Sequence, residues 1–108
     1  MSWDDWLNPE AVIDAVSEVS SVPRERILGR GAQSHISMAR KIAVHLLLNR
    51  SRLSLHGVAH IMDKRDHTSI LYLKKQALLL PPELVTIHTK KAEMLHRQYL
   101  PSSNDNQM

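Results

Sequence analysis

The chain has 108 residues, of which 43% are hydrophobic and 4% aromatic, with a formal net charge of +3. This length and hydrophobic content fit one folded domain with a modest aliphatic core and exclude a largely disordered chain. The absence of cysteine excludes disulfides and thiolate zinc sites and suits a reducing cytoplasm. No apolar run is long enough to span a bilayer, and the acidic start lacks the basic region of a signal peptide.

Charge is divided unevenly along the chain. The first 22 residues contain five Asp and Glu and no Lys or Arg, whereas the remainder contains all 14 Lys and Arg against six acidic residues. A basic body behind an acidic lead is compatible with a polyanionic partner such as nucleic acid, although many basic surfaces are only solvated.

An acidic lead of residues 1–8 contains Trp3 and Trp6. Two readings of these tryptophans are open. They pack on the first helix, or they anchor another protein, because Trp is enriched in interface hot spots.

The first half of the chain is predicted to form three helices. The first begins at Pro9 after the N-cap Asn8, and the second is a short helix that Gly29 stops. The third has apolar residues at the three- and four-residue spacing of a buried stripe. Arg40 and Lys41 are predicted to lie outside this stripe. Its members are Ala39, Ile42, Ala43, Leu46 and Leu47.

Two capped helices separated by a tight turn predict a helix-turn-helix over residues 54–80. Ser54 is the N-cap of the first of these helices, and Asp66 is the N-cap of the second. Because a recognition helix contacts base edges from its first turn, the polar side chains of that turn are candidates for base reading. A capped helix start without any ligand is the alternative. The side chains of that turn are His67, Thr68 and Ser69.

The last helix is predicted to run roughly from Pro82 to Leu100, and the polar tail 101–108 is predicted to be disordered. The apolar positions of this helix are Leu84, Ile87, Met94 and Leu95. The fold class is therefore all-α, with five or six helices in a single domain over residues 9–100.

His56 and His60 are one helical turn apart, a spacing that can hold a metal ion, but no third ligand is evident. No set of nucleophile, base and orienting group is present either. We therefore predict no metal, no cofactor and no enzymatic activity.

A specific signature lies at residues 65–69, which read Arg-Asp-His-Thr-Ser and are followed by an aliphatic pair and Lys74-Lys75. Together with Ala39-Arg40-Lys41-Ile42-Ala43 and Ser54-Leu55, it resembles the C-terminal DNA-binding domain of the bacterial replication initiator DnaA. The resemblance starts near Val12 and extends to about Gln76. It implies a Trp-repressor-like helix-turn-helix that binds short, asymmetric A/T-rich boxes in duplex DNA.

The resemblance also implies DNA contacts residue by residue. The turn from Asp66 to Ser69, with His67 and Thr68, corresponds to the base-reading turn. Arg40 corresponds to the basic residue that contacts DNA from the start of the long helix, and Lys41 lies where the family often has Gln. Contacts that position the DNA backbone are implied for Ser54, His56, Arg65, Lys74 and Lys75.

The loop before the long helix departs from the family pattern. The family loop has several arginines, one of which enters the minor groove, whereas this loop keeps only Arg30 and has Ala32 where that arginine is expected. The loss should weaken binding or shift the preferred sequence. The family turn commonly has two glycines where this chain has Asp63 and Lys64, and Asp63 is the more tolerant of a left-handed conformation. With no Walker motif, the chain resembles one detached module of the initiator.

Three functions are compatible with these residues. The first is a non-enzymatic, cytoplasmic protein at the nucleoid that binds DnaA-box-like duplex sites and modulates replication initiation, by competing with the initiator or by recruiting it. The second is a transcriptional regulator that uses the same helix on a promoter. The third is an adaptor for the initiator or another replication protein, with weakened DNA binding and partner contacts at Trp3 and Trp6.

Overall fold

The computed structural model describes residues 6–31, 33–63 and 66–99, and all regular secondary structure in these ranges is helical. Trp3, Arg65 and the predicted disordered tail lie outside the described residues. The helices are α1 (Pro9–Ser20), α2 (Arg24–Leu28), α3 (Ser34–Asn49), α4 (Leu55–Ile61), α5 (His67–Ala77) and α6 (Pro82–His96). The predicted all-α fold is confirmed. None of these helices is long and apolar enough to cross a membrane.

Side-chain caps determine where three of the helices begin. Asn8, Ser54 and Asp66 each accept a hydrogen bond from a backbone N–H two or three residues further on, at 2.8, 3.0 and 3.2 Å. Each bond satisfies an amide that has no partner within the helix. All three caps were predicted from the sequence, and they fix the starts of α1, α4 and α5.

The core is aliphatic and lies around α3. Helix α1 packs against α3 and α6. Helix α5 packs against α3 and against α4. From α5, Ile70 and Ala77 are buried and Leu73 is partly buried against the core, and these residues have the three- and four-residue spacing of one helix face. This orientation turns the polar side of α5 outward.

The buried face of α6 matches the prediction at Leu84 and Leu95 and differs from it at Ile87 and Met94. Ile87 and Met94 are 54% and 56% exposed, whereas His88 and His96 are buried. His96 Nδ1 accepts the N–H of Asn8 at 2.9 Å, so the ring satisfies a backbone donor at the start of α1. Helix α6 has apolar residues on two faces. Their spacing alone therefore does not show which face packs on the core, and the buried face includes histidines.

Helices α5 and α6 are also shorter than predicted. Helix α5 ends at Ala77, and residues 78–80 form a turn whose N–H groups bond to carbonyls three residues back. This tightening brings the chain to Pro81, which cannot continue a helix. The last regular residue of α6 is His96.

Candidate nucleic-acid interface

The first turn of α5 is exposed although the helix behind it is firmly anchored. Asp66, His67, Thr68 and Ser69 are all exposed, whereas the next residue, Ile70, is completely buried. Asp66 also caps the helix, so the backbone of the turn is fixed at both ends. Four polar side chains therefore project from a rigid helix start.

Helix α4 brings a second histidine beside this turn. The ring centroids of His56 and His67 are 4.7 Å apart, with the ring planes tilted by 40°. His67 Nδ1 lies 3.3 Å from Asp66 Oδ1. The start of α4, which Ser54 caps, is thereby placed next to the start of α5, and the predicted residues of both helices form one surface.

The turn between the two helices contains Asp63 in a left-handed conformation, with φ of 63°. Asp tolerates this region better than most residues because its short polar side chain can bond locally. The expectation that Asp63 can adopt a left-handed conformation is confirmed. Lys64 of the same turn lies outside the described residues.

Basic side chains follow at the other end of α5. Lys74 and Lys75 are exposed in its last turn, where positive charge also complements the helix dipole. On α3, Lys41 is half-buried. The structure places the two α5 lysines two turns along the same helix from His67.

Arg40 is buried, so the prediction that it lies outside the buried stripe is wrong. It is 5% exposed, and its Nε, Nη1 and Nη2 donate to the carbonyls of Ile27, Gly31 and Arg26 at 2.9, 2.7 and 2.7 Å. Burial lowers the pKa of Arg40 below its ordinary value. The end of α2 leaves carbonyls without helical partners, and the guanidinium satisfies them. Arg40 therefore holds the α2–α3 loop on α3.

Arg30, the arginine of that loop, reaches toward the helix-turn-helix. Its Nε donates to Asp63 Oδ2 at 3.1 Å, and the two side chains are 70% and 53% exposed. Ala32, where the family arginine is expected, lies outside the described residues. The exposed pair links the loop to the turn between α4 and α5.

Trp6 is half-buried and lies against the turn after α3. The Arg52 guanidinium carbon lies 4.5 Å from the centroid of the Trp6 ring, a cation–π arrangement. The neighbouring Leu7 N–H donates to the Arg50 carbonyl at 2.8 Å. Trp6 thus packs on Arg52, which neither of the two readings of the lead anticipated.

The sequence reading missed one residue of this surface, Tyr72. It is 61% exposed and lies three and four residues after Ser69 and Thr68, so it shares their side of α5. The spacing alone could have identified it. Tyr72, Thr68 and Ser69 line a shallow depression together with Arg40 and Leu73.

Comparison with known proteins gives one family. Residues 9–76 match the family described as bacterial dnaA protein helix-turn-helix. Relatives named chromosomal replication initiator protein DnaA include that of Chloroflexus aggregans, 29% identical over 66 residues, which are 61% of this chain and 14% of the relative. That of Crocosphaera subtropica is 28% identical over 99 residues, 92% of this chain and 22% of the relative. That of Roseiflexus castenholzii is 32% identical over 66 residues, 61% of this chain and 14% of the relative.

This chain therefore spans about a fifth or less of the length of these relatives. No solved structure gives a significant match. Helix-turn-helix motifs of this kind place their second helix in the major groove of DNA. On the family match over most of its helices and on its capped, exposed α5, the chain belongs to the DnaA-type helix-turn-helix family.

Proposed function

We propose that this protein binds duplex DNA in a sequence-specific manner through the first turn of α5. One observation carries the proposal: the turn from Asp66 to Ser69 is exposed and capped, on a helix whose opposite side is buried through Ile70. A side chain on such a helix is pre-positioned, so little conformational freedom is lost when it contacts a base.

The residue types of the turn match base edges in the major groove. The methyl group of Thr68 can pack on a thymine methyl, and the Ser69 hydroxyl can donate or accept. His67 can donate or accept a hydrogen bond at a base or at a phosphate. Each base-specific contact contributes about 1–3 kcal/mol to discrimination between sequences.

Phosphate contacts supply affinity without sequence information. The exposed Lys74 and Lys75 are the candidates at the end of α5, and Arg30 is the candidate from the α2–α3 loop. We also assign backbone-positioning contacts to Ser54 and His56 at the start of α4, beside His67. Because Lys74, Lys75 and Arg30 are cations, the logarithm of the binding constant should fall linearly with the logarithm of the salt concentration.

We infer that the target is a DnaA-box-like site and that the protein modulates replication initiation there. The names of its relatives support this role. In this role it would act by occupying the initiator's sites or by bringing the initiator to them. A transcriptional regulator would use the same helix, and genome-wide occupancy separates the two because only the first requires peaks at the origin. The contact between Trp6 and Arg52 leaves the adaptor role with less support.

Selection of bound duplexes from a random pool tests the proposal directly. We expect enrichment of an asymmetric, A/T-rich box. The absence of any enriched sequence would contradict the proposed sequence specificity. Enrichment of a different box would contradict the proposed role at initiator sites.

A matched pair of lysine variants tests the docking. Lys75→Ala should weaken binding to all duplexes and reduce the salt slope by about 0.9, the value for one phosphate contact. Lys90→Ala, which removes an exposed lysine from α6, should leave both the affinity and the slope unchanged. Equal effects of the two variants would contradict docking through α5.

A further inference from the structure

We propose that Tyr72 and the depression beside it hold a phosphate of the DNA backbone, with the Tyr72 hydroxyl as a hydrogen-bond donor. This inference rests on the proposed DNA binding and assigns a contact within it. Tyr72 acts as a positioning residue, because a phosphate contact fixes the register of the recognition helix without reading a base.

The depression has a volume of about 360 Å³ and is lined by Arg40, Thr68, Ser69, Tyr72 and Leu73. Three of these side chains have hydroxyl groups on one side of α5. Thr68 and Ser69 belong to the turn proposed to contact bases, and Tyr72 lies one turn further on, where its hydroxyl is the donor left for a phosphate. Hydroxyl groups are suitable donors to an anion, and a phosphate accepts several hydrogen bonds at once. The lining is therefore chemically matched to a phosphate.

Arg40 supplies the charge. Among residues 6–31, 33–63 and 66–99, it is the only lining residue with a formal charge, and no carboxylate of these residues lies within ion-pair distance of it. A buried guanidinium without a counter-charge is unfavourable, so an anion in the depression would be stabilised there. The three carbonyls use one N–H on each guanidinium nitrogen, and Nη1 and Nη2 each have a second N–H.

Tyr72 is placed where a phosphate contact is needed. A recognition helix enters the groove with its first turn, so a residue one turn further on lies closer to the backbone at the edge of the groove. Tyr72 is exposed, and no described hydrogen bond uses its hydroxyl group. Because the phenol is neutral, its contact adds affinity but displaces no counterion.

Two hydroxyl deletions provide the test, since the chain has only two tyrosines. Tyr72→Phe keeps the ring and removes the donor. We expect about tenfold weaker binding to the selected duplex, the loss of one hydrogen bond to a charged group, with the salt slope and the selected sequence unchanged. Tyr99→Phe is the matched control, because the Tyr99 hydroxyl donates to Asp14 Oδ2 at 2.6 Å on another part of the molecule. It should bind DNA like the wild type.

Methylphosphonate substitution of single duplex phosphates identifies the acceptor. At one position the uncharged analogue should weaken binding of the wild type, while Tyr72→Phe should lose much less at that position than the wild type does. Equal affinities of Tyr72→Phe and the wild type would overturn the proposal. It would also be overturned if, at every phosphate position, the loss from the methylphosphonate and the loss from Tyr72→Phe were additive. A Tyr72→Phe defect confined to one base sequence would overturn it as well, since that would show a base contact. A wild-type protein that binds no duplex would overturn the proposed function and this inference together.

Discussion

The resemblance to the family implies DNA contacts for both the α2–α3 loop and the first turn of α5, but the two regions use their polar side chains differently. At the loop, Arg40 is buried on three backbone carbonyls and Arg30 is paired with Asp63. At the turn, the side chains from His67 to Ser69 are exposed, and only Asp66 has a defined structural role as the cap.

The difference shows that a basic residue for which the resemblance implies a DNA contact also holds the fold together. Arg40 stabilises the loop because the last carbonyls of α2 need donors, whatever the loop does toward DNA. We therefore expect base reading mainly from the first turn of α5. Variants of the two regions separate a structural loop from a base-reading turn.

The largest expected effect is on the free energy of unfolding of Arg40→Met. The variant leaves three carbonyls without their donors, and we expect a loss of about 3 kcal/mol in urea denaturation. Arg26→Met is the control, because the Arg26 side chain is exposed while its carbonyl is retained, and its effect should stay within about 0.5 kcal/mol. A loss below about 1 kcal/mol for Arg40→Met would contradict the structural role.

The two glycines of the loop offer a matched pair. A Cβ on Gly29 would lie 2.7 Å from the carbonyl oxygen of Glu25, whereas a Cβ on Gly31 would meet nothing within 4 Å. Gly29→Ala should lower the free energy of unfolding by about 2 kcal/mol, because a backbone carbonyl must move to make room. Gly31→Ala should change it by less than about 0.5 kcal/mol. Equal values in thermal or urea unfolding would show that the loop is less constrained than described.

On the α5 side, the cap can be tested separately from base reading. Asp66→Ala should lower the free energy of unfolding by about 1 kcal/mol, because the Thr68 N–H loses its acceptor. Asp66→Asn retains an acceptor and should remain close to the wild type. If Asp66→Ala weakens DNA binding but leaves unfolding unchanged, the side chain contacts DNA and does not act as a cap.

The smallest expected effect concerns the pair that joins the two regions. Asp63→Asn keeps a residue that tolerates the left-handed turn and removes the charge that holds Arg30. Because the pair is exposed, stability should change by less than about 1 kcal/mol. Duplex affinity should rise a few-fold as Arg30 becomes free for a phosphate.

The Arg30→Ala background provides the control for this pair. In that background, Asp63→Asn should give little further gain, and the salt slope should be lower by about 0.9 than that of Asp63→Asn alone. An equal gain with and without Arg30 would indicate a general charge effect.

Local features could be predicted from the sequence, whereas long-range contacts could not. The caps Asn8, Ser54 and Asp66 follow from residue types that bond two or three residues away. The burial of Arg40 depends on carbonyls 9 to 14 residues distant, and its charge gave no sign of it. On α6 the prediction was wrong for Ile87 and Met94, and one contact of the buried face, from the Asn8 N–H to His96 Nδ1, spans 88 residues.

The site showed the same limit. The exposed side of α5 followed from the spacing of Ile70, Leu73 and Ala77, which face the core. Tyr72 was missed because a tyrosine among aliphatic residues gives no motif, although it lies one turn from Thr68. The link between Arg30 and Asp63 spans 33 residues and depends on how the loop folds back.

The most direct test of the central claim is competition binding with the selected box and a scrambled duplex at one salt concentration. The wild type and His67→Ala/Thr68→Ala are compared, with Thr86→Ala on α6 as the exposed-threonine control. The double variant should lose most of the preference for the box, about 2–6 kcal/mol for two base contacts, while its binding to the scrambled duplex and its unfolding are retained. An unchanged preference in the double variant would contradict base reading by the first turn of α5.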